Sequence, residues 1–488
     1  MPVLIVVENN RFSQSTPQEL TIAGNILDRF KAFGLTTFDT DTWNLEKLTD
    51  TFENAVKHVR NGKPAVVRVQ TDRLMAHSKG DDDRPKELVN SYYERDVITL
   101  FSKEQPEKYQ EYVNEARKRI DAAVIEAEKA GMAKRPVLPT SHDVPVTWKN
   151  LKNTDTRRIN EIIRDCFTEN MQKDERIIML GEDILDPYGG SFKVTKGLST
   201  KFPDRVKGTS ISESAIIGIG NGLSLAGKLP VCEIMFGDFM TLTFDQILNH
   251  AAKFPIMYNR QVKNPIIIRT PMGGGRGYGP THSQSIEKHF LGIPQTLVLA
   301  LNQRVNPAII YDRLFKELTQ PAIVIENKML YAKRLKTTSE RGFIYEITDE
   351  PYPTIRIRPE GKADLTIICY GGMLEFAEEA QQKLFEEHDI ISEVVCPTQL
   401  YPLNTLPILD SVSSGHVLIV EEGNGFAGWG SEVITQIAET APNALKTVKR
   451  LNMLECPIPC CGPLEKELLP NTKSIIEKAI ECQERGAI

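Results

Sequence analysis

Residues 211–253 read ISESAIIGIGNGLSLAGKLPVCEIMFGDFMTLTFDQILNHAAK, and residues 269–285 read RTPMGGGRGYGPTHSQS. The first stretch passes from a polar edge into a helical segment rich in small residues, and the apolar run VCEI follows as a strand. In the second stretch, the end of the strand-like run IIIR leads into the glycine-rich run GGGRGYG. Strands that alternate with helices are typical of layered α/β domains with a parallel sheet, so these stretches predict that fold class.

The same alternation continues on both sides and predicts three α/β units. The first unit has LIVV and AVVRV as strands, a helix near residues 45–59 between them, and a long closing helix. The apolar stripe of that closing helix consists of Val113, Ala116, Ile120, Val124 and Ala127. The second unit has the strand candidates IIML, VCEI, IIIR, LVLA and AIVI, and the third has LTIICY, SEVV and HVLIVEE. The predicted domains are 1–131, 154–335 and 362–488, with linkers at 132–153 and 336–361.

Length and composition narrow the classes of function. A chain of 488 residues is too long for one core, and its 41% hydrophobic and 25% charged residues are ordinary for a globular protein. With a formal charge of −6 and no basic block with interleaved aromatic residues, nucleic acid is not an expected partner. No apolar run reaches the ~18 residues of a membrane span, so membrane insertion is not expected either. The start MPVLIVVENN lacks the features of a secretion signal, which makes the cytoplasm the expected location.

The eight cysteines are scattered except in the run CPIPCC, which holds Cys456, Cys460 and Cys461. This spacing is not a standard zinc pattern, and no histidine lies close to it in the sequence. We therefore expect reduced thiols here rather than a metal site. The role of the run stays open.

Three residues of the middle domain are candidates for chemistry. Glu213 follows Ser212 where a helix begins, so its carboxylate is held in place and partly desolvated, or it is a solvated carboxylate of a first helical turn. Phe239 offers a flat face to a planar heterocycle, or it is an ordinary core aromatic. His282 follows the glycine-rich run, where a histidine is suited to proton transfer, or it is a surface histidine. The glycine-rich run lacks the Lys-Ser/Thr end of a phosphate loop.

These stretches, together with LGEDI, YGGSFKVTKGL and IENKMLY, resemble the β subunit of the first, decarboxylating component of 2-oxo acid dehydrogenase complexes. The resemblance covers most of residues 155–485 and implies a transketolase-like fold with a pyrimidine-binding domain and a C-terminal domain. It implies that Glu213 hydrogen-bonds the aminopyrimidine of thiamine diphosphate and so promotes loss of the proton from the thiazolium carbon. By the same resemblance, Phe239 stacks on the pyrimidine, Glu182 contacts the cofactor, and His282 serves substrate and lipoyl chemistry.

The first domain resembles only the second half of the α subunit of the same component. The resemblance rests on VENNRFSQSTP (7–17) and TDRLMAHSKGDD (71–82), and it implies a partial diphosphate-binding domain. It implies that the Asn10 side chain and the Phe12 carbonyl bind Mg²⁺, although two asparagines after a strand are otherwise a turn signal. His77 matches a histidine on the loop that closes over the active site, and Arg73 matches a basic residue that helps to order this loop on the cofactor.

Three departures from the family pattern stand out in the sequence. Asp72 replaces the usual aromatic residue of the loop, and the Gly-Asp-Gly opening of the diphosphate motif is missing. The resemblance therefore implies a partner chain that carries this opening, in a heterotetramer-like assembly. In the third domain, residues 396–399 read CPTQ where the family commonly has Asp-Leu-Arg-Thr, which fits a changed interface or a different acyl acceptor.

The expected function is thiamine-diphosphate-dependent decarboxylation of a 2-oxo acid, with transfer of the acyl group to a lipoyl-bearing acyltransferase or carrier. One alternative is a transketolase-like enzyme that moves a two-carbon ketol unit from a sugar phosphate to a carrier. The fold alone does not separate the two. Another alternative is a non-catalytic scaffold subunit, which would have no use for Glu213, His282, Asn10 and His77 together. The donor and the acceptor stay open.

Overall fold

The computed structural model describes residues 2–78, 80, 82–132, 143–337, 339 and 342–484. The chain divides into two compact units, Met1–Val137 and Leu138–Ile488, called the N-terminal unit and the C-terminal unit below. Parallel strands and helices build both units, and the described residues form three sheets, so the predicted α/β class is confirmed. Residues 133–142, which make up much of the first predicted linker, lie outside the described residues.

The N-terminal unit is built on a three-stranded parallel sheet with the strand order β1-β3-β2. Its elements are β1 (Leu4–Asn9), α1 (Ile26–Ala32), β2 (Thr36–Asp41), α2 (Leu45–Arg60), β3 (Ala65–Gln70), α3 (Lys86–Arg95), α4 (Val97–Glu104) and α5 (Pro106–Lys129). The predicted strands LIVV and AVVRV are confirmed as β1 and β3. The strand β2, from TTFDTD, escaped prediction because its polar residues interrupt any apolar run.

Little of the N-terminal unit is buried. Its core cluster consists of Ala55, Val67 and Val69, against which four partly buried apolar side chains pack. The long helix α5 forms as predicted, but it buries none of its residues, and Ile120 on its apolar stripe is 62% exposed. The stripe is therefore an open apolar face of this unit.

One sheet of the C-terminal unit, which we call the middle sheet, has the strand order β15-β9-β10-β8-β7-β5-β6, in which β15 (Gln399–Tyr401) comes from late in the sequence. All of its strand pairs are parallel except β15 with β9. The first elements of the unit are β4 (Trp148–Asn150), α6 (Ile159–Lys173), β5 (Ile177–Gly181), α7 (Leu198–Lys201), β6 (Val206–Gly208), α8 (Glu213–Leu225), β7 (Leu229–Glu233), α9 (Phe254–Met257), β8 (Ile267–Met272), β9 (Leu297–Ala300), α10 (Pro307–Glu317) and β10 (Ala322–Asn327). The central strands β7, β8 and β10 are buried throughout, as their continuous apolar runs predict.

A second seven-stranded sheet, the C-terminal sheet, has the order β17-β16-β13-β14-β12-β11-β4. Its elements are β11 (Phe343–Thr348), β12 (Thr354–Pro359), β13 (Leu365–Cys369), α11 (Met373–His388), β14 (Ser392–Pro397), β15 (Gln399–Tyr401), α12 (Leu406–Leu409), β16 (His416–Asn424), α13 (Trp429–Thr440), β17 (Thr447–Met453), α14 (Gly462–Leu468) and α15 (Thr472–Glu484). Short 3₁₀ helices span Gln18–Leu20, Gly237–Thr243, Glu287–His289 and Pro442–Ala444, and a π-helix spans Gln246–Ala251.

Both predicted linkers contain strands of the C-terminal sheet, which corrects their interpretation as loose connections. The stretch 336–361 contains β11 and β12, and the described end of 132–153 contains β4, which pairs with β11. In β12, Ile355 and Ile357 are fully buried, while Arg356 and Arg358 bind Glu346 of β11. This alternation belongs to an antiparallel pair with one solvated face, and a search for continuous apolar runs misses it.

Candidate active site

The candidate residues of the C-terminal unit lie in the loops that follow parallel strands of the middle sheet. Glu182 comes directly after β5, Phe239 follows β7, the glycine-rich loop 273–279 follows β8, and Lys328 follows β10. These four parallel strands are neighbours, so their carboxyl ends lie side by side at the same end of the sheet. In open α/β sheets, the crevice outside the carboxyl ends of the strands is the usual place for a ligand.

Glu213 is the first residue of α8 and is only 5% exposed. The helix lies close to the sheet because of Gly220, where a Cβ atom would be 2.6 Å from the Cys232 sulfur and 2.8 Å from Ile266. A side chain at this position would push the helix away from the strands. The close contact therefore keeps the carboxylate of Glu213 buried at the start of the helix.

Glu182 lies beside the start of the same helix and is 6% exposed. Its Oε1 accepts a hydrogen bond of 3.2 Å from the backbone N–H of Ser212, the residue before Glu213. Burial, and then the negative charge of Glu213, raise the pKa of Glu182 above its ordinary value. The structure thus brings two buried carboxyl groups together, and such a pair can hold and exchange a proton with a nitrogen heterocycle.

An aromatic cluster, consisting of Phe236, Phe239, Tyr278 and His282, lies in the same loops. The ring centroids of Phe239 and His282 are 5.1 Å apart, and those of Phe236 and His282 are 4.8 Å apart, both edge to face. Phe236 also meets the rings of Phe239 and Tyr278 at 5.9 and 6.0 Å. The sequence analysis selected Phe239 and His282 separately, and the structure places them in contact.

The 3₁₀ helix that carries Phe239 is pressed against β8. A Cβ atom on Gly237 would be 2.6 Å from the side chain of Met272, so only glycine fits at this position. The imidazole of His282 is half-buried, and its Nδ1 is 2.9 Å from the hydroxyl of Thr281. The histidine therefore has one ring nitrogen engaged and lies on an aromatic surface at the crevice.

The glycine-rich loop needs its glycines, since Gly273, Gly275, Gly277 and Gly279 all have positive φ. Carboxylates of the C-terminal domain bind its backbone amides. Glu422 accepts from the N–H of Gly274, and Glu465 accepts from those of Gly275 and Gly277 at 2.9 and 2.7 Å. The prediction that this is not a phosphate loop agrees with that arrangement, because negative side chains already occupy these amides.

Two buried charged groups were missed by sequence reasoning. Lys328 is fully buried, and its Nζ donates to the backbone carbonyl of His282. Arg269 is also buried and forms ion pairs with Glu233 and Glu326, which lie on the flanking strands β7 and β10. For each of the two residues, the only signal in the sequence was a charged side chain at the end of an apolar strand. The partners that bury them come from distant parts of the sequence.

In the N-terminal unit, Asn10 and Phe12 lie just beyond the carboxyl end of β1. The Asn10 Oδ1 accepts a hydrogen bond of 2.8 Å from the backbone N–H of Phe12, and Arg11 between them has a positive φ of 64°. The pair forms a tight turn, which is the plainer interpretation of two asparagines after a strand. The amide oxygen and the backbone carbonyl are nevertheless hard oxygen donors of the kind that Mg²⁺ binds, so this turn fits part of an octahedral site.

The loop after β3 is tied to this turn. Arg73 donates to the backbone carbonyls of Ser13 and Gln14 at 2.9 and 2.7 Å. The Asp72 carboxylate pairs with Arg11 and, at 2.7 Å, with Arg95. Asp72 therefore fixes the loop, and Arg73 directs its guanidinium to the backbone.

His77 lies further along the same loop and is exposed. Its sequence neighbours Lys79 and Asp81 lie outside the described residues. In the C-terminal unit, Cys456 is half-buried, whereas Cys460 and Cys461 are exposed. The described part of the chain contains no group of three or more His, Cys, Asp or Glu side chains placed to hold a metal ion. It also contains no helix that is long and apolar enough to cross a membrane.

Comparison with known protein families divides the chain in three. Residues 1–135 match the family described as "Dehydrogenase E1 component". Residues 155–333 match "Transketolase, pyrimidine binding domain", and residues 354–475 match "Transketolase, C-terminal domain". The second match alone covers Glu182, Glu213, Phe239 and His282.

Curated relatives match about two thirds of the chain. The β subunit of acetoin:2,6-dichlorophenolindophenol oxidoreductase from Cupriavidus necator is 32% identical over 335 residues, which are 66% of this chain and 96% of that subunit. A mitochondrial pyruvate dehydrogenase E1 component subunit beta-1 from Arabidopsis thaliana is 31% identical over 321 residues, covering 65% of this chain and 87% of the relative.

Solved structures show the same fold. A split-gene transketolase in an inactive β4 tetramer matches 67% of this chain and 98% of that chain, with a TM-score of 0.53 and 21% identity. A transketolase from Pichia stipitis matches 99% of this chain and 72% of that chain, with a TM-score of 0.63 and 15% identity. At these identities the similarity concerns the fold alone.

Proposed function

The chain belongs to the family of thiamine-diphosphate-dependent first components of 2-oxo acid dehydrogenases, and we propose that it decarboxylates a 2-oxo acid and passes the acyl group to a lipoyl carrier. We further propose that it does so with a partner chain that supplies the rest of the diphosphate-binding half. The observation that best supports this proposal is the buried carboxyl pair of Glu182 and Glu213, which lies with Phe239 in the crevice of the middle sheet.

When bound, thiamine diphosphate supplies the carbanion chemistry that breaks the bond to the carboxylate of a 2-oxo acid. The chain holds and orients the cofactor and moves protons. Glu213 would exchange a proton with a ring nitrogen of the pyrimidine, and its burial keeps water away from the carboxylate. Glu182 keeps the start of α8 in place through the Ser212 amide. Phe239 supports the flat face of the pyrimidine.

His282 is the proposed proton carrier on the substrate side. Its ring is half-buried on the aromatic cluster, and an imidazole ring can both accept and donate a proton. His77 is the proposed second proton carrier, on the loop that Arg73 and Asp72 fix to the turn at Ser13. The exposed side chain of His77 is free to contact a substrate that enters from solvent.

The diphosphate end of the cofactor is assigned to the N-terminal unit. Asn10 and the Phe12 carbonyl would supply two oxygen ligands to Mg²⁺, which would need further oxygen ligands from outside this turn. Within the described residues, β1 pairs with β3 alone, so one edge of this parallel strand is unpaired. Val6 of β1 is 44% exposed. We propose that the partner chain extends the sheet at this edge and brings the missing ligand.

The lining of the crevice supports the proposed substrate class. Phenyl, phenol and imidazole rings form the aromatic cluster, which suits a short aliphatic oxo acid better than a sugar phosphate. The Cupriavidus relative is named for acetoin, so acetoin is a rival donor for the same site. The lipoyl acceptor rests on family membership alone.

The test is an assay of the chain co-purified with a partner that carries the Gly-Asp-Gly half. With an artificial electron acceptor, we expect carbon dioxide release from pyruvate or a branched-chain 2-oxo acid and no turnover of ketose phosphates. Activity confined to a ketose phosphate would establish the transketolase-like alternative. Activity confined to acetoin would show that acetoin, and not a 2-oxo acid, is the donor. Calorimetric titration of the chain alone with thiamine diphosphate and Mg²⁺ tests the partner, since micromolar binding would show that no further ligand is needed.

A further inference from the structure

Lys328 is a fully buried lysine with no role in the function proposed above. It directly follows β10, and its backbone N–H donates a hydrogen bond of 2.9 Å to the carbonyl of Met272, at the end of β8. Lys328 therefore lies at the base of the glycine-rich loop, next to the aromatic cluster. Burying an ammonium group is costly unless its environment compensates the charge.

The contacts of this ammonium group converge on the loop that carries His282. Its Nζ donates to the backbone carbonyl of His282. It also lies 5.4 Å from the ring centroid of Phe236 and 5.5 Å from that of Tyr278. One charged group thus contacts three members of the aromatic cluster, two through their ring faces and one through the main chain.

Acidic side chains from three other elements surround the group. They are Asp238 of the 3₁₀ helix Gly237–Thr243, Glu422 of β16 and Glu465 of α14, while Arg276 of the glycine-rich loop adds a positive charge. Asp238 also accepts a hydrogen bond of 3.3 Å from the backbone N–H of Gln284. Burial lowers the pKa of Lys328 to about 8, so the side chain is mainly charged at neutral pH.

We propose that Lys328 is a positioning residue that holds His282 in contact with Phe239 by binding the main-chain carbonyl of the histidine. Lys328 and Asp238 bind the segment 282–284 from two sides, one through a carbonyl and the other through an N–H. The proposal deepens the proposed function, because it concerns the placement of the same histidine. Loss of the ammonium group would free the peptide of His282 without touching the imidazole itself.

Hydrogen exchange of the backbone amides tests this without an assay of activity. In Lys328→Met, which keeps the apolar stem, we expect amides of residues 279–285 to exchange at least about tenfold faster, as loss of a hydrogen bond to a charged donor implies. Lys328→Arg keeps a charged donor and should retain the slow exchange. The matched control is Lys333→Met, because Lys333 is a half-buried lysine that pairs with Glu375 and is not part of the loop.

Unchanged exchange at 279–285 in Lys328→Met, or equal acceleration in Lys333→Met, would overturn the proposal. A second readout is the pH profile of turnover in the reconstituted enzyme. The wild type should lose activity as the pH rises past about 8, and Lys328→Arg should extend the active range to higher pH. A wild type that turns over no 2-oxo acid would reject the proposed function, while the exchange experiment would still decide the role of Lys328.

Discussion

The two units differ in how much apolar surface they bury by themselves. In the C-terminal unit, every residue of β8 is buried, whereas in the N-terminal unit no residue of β1 is, although both are parallel strands with apolar runs. Parallel sheets are normally covered on both faces. The central strands of the C-terminal unit are covered within the unit. Strand β1 of the N-terminal unit is not, and its open edge and the apolar stripe of α5 are the surfaces that the proposed partner would cover.

The largest effect is expected for the carboxyl pair of the C-terminal unit. Glu213→Gln preserves the volume of the side chain and removes the exchangeable proton, so turnover should fall by ~10²–10⁴-fold while the fold survives. The measurement is decarboxylation with an artificial electron acceptor in the reconstituted enzyme. Glu161→Gln, at the start of α6 and outside the crevice, is the control and should retain most of the activity. A Glu213→Gln enzyme with more than half the normal rate would reject the assignment.

The next prediction compares the stability lost when a buried ion pair and a partly exposed ion pair are removed. Arg269→Met leaves Glu233 and Glu326 buried without their cation and should cost about 3–5 kcal/mol of unfolding free energy. Arg68→Met removes a partly exposed pair with Asp39 in the N-terminal unit and should cost at most about 1 kcal/mol. Urea unfolding followed by circular dichroism measures both. Equal costs would mean that the two units do not differ in this way.

A third prediction concerns the pH dependence of stability. Burial raises the pKa of Glu287 from 4.5 to about 7, although the hydroxyl of Tyr370 donates to its carboxylate. The folded state holds the proton of Glu287 more tightly than the unfolded state does. Protonation of Glu287 therefore stabilises the folded state fully below pH 4.5, and this stabilisation is lost as the pH rises to about 7.

Glu287→Gln mimics the protonated form at all pH values. It should match the wild type in stability at pH 5 and exceed it at pH 8, by about 1.4 kcal/mol for each unit of pKa shift. Unfolding at the two pH values measures the difference. The exposed Glu115→Gln in α5 is the control and should show no such change between them. A Glu287→Gln variant that is less stable at pH 8 would contradict the prediction.

The smallest effect sharpens the comparison within the N-terminal sheet. Val67→Ala truncates a fully buried residue of β3 and should cost roughly 1.5 kcal/mol. Val6→Ala, on the edge strand, should change the stability of the chain alone by less than about 0.5 kcal/mol. In the presence of the partner, however, Val6→Ala should weaken association in a calorimetric titration. An unchanged affinity would show that the edge of β1 is not the partner's binding surface.

The sequence by itself determined those features that depend on neighbours in the chain. Apolar runs marked five of the seven strands of the middle sheet, all but β6 and β15. Glu213 was identified at the start of a helix that the structure contains. Glycine tolerates backbone angles that other residues avoid, and four of the five glycines in the glycine-rich run have positive φ. Short-range patterns of this kind reflect the period of a strand or helix and the φ angles of single residues.

The tertiary structure alone decided which distant groups meet. It buried Lys328 beneath the backbone of His282 and placed Glu422 and Glu465 on the amides of the glycine-rich loop. It also added β15, from the third domain, to the middle sheet. The sequence shows the charge of each group but not the element that packs over it. Burial and ion pairing depend on which elements come together in space, and a linear pattern carries no record of that.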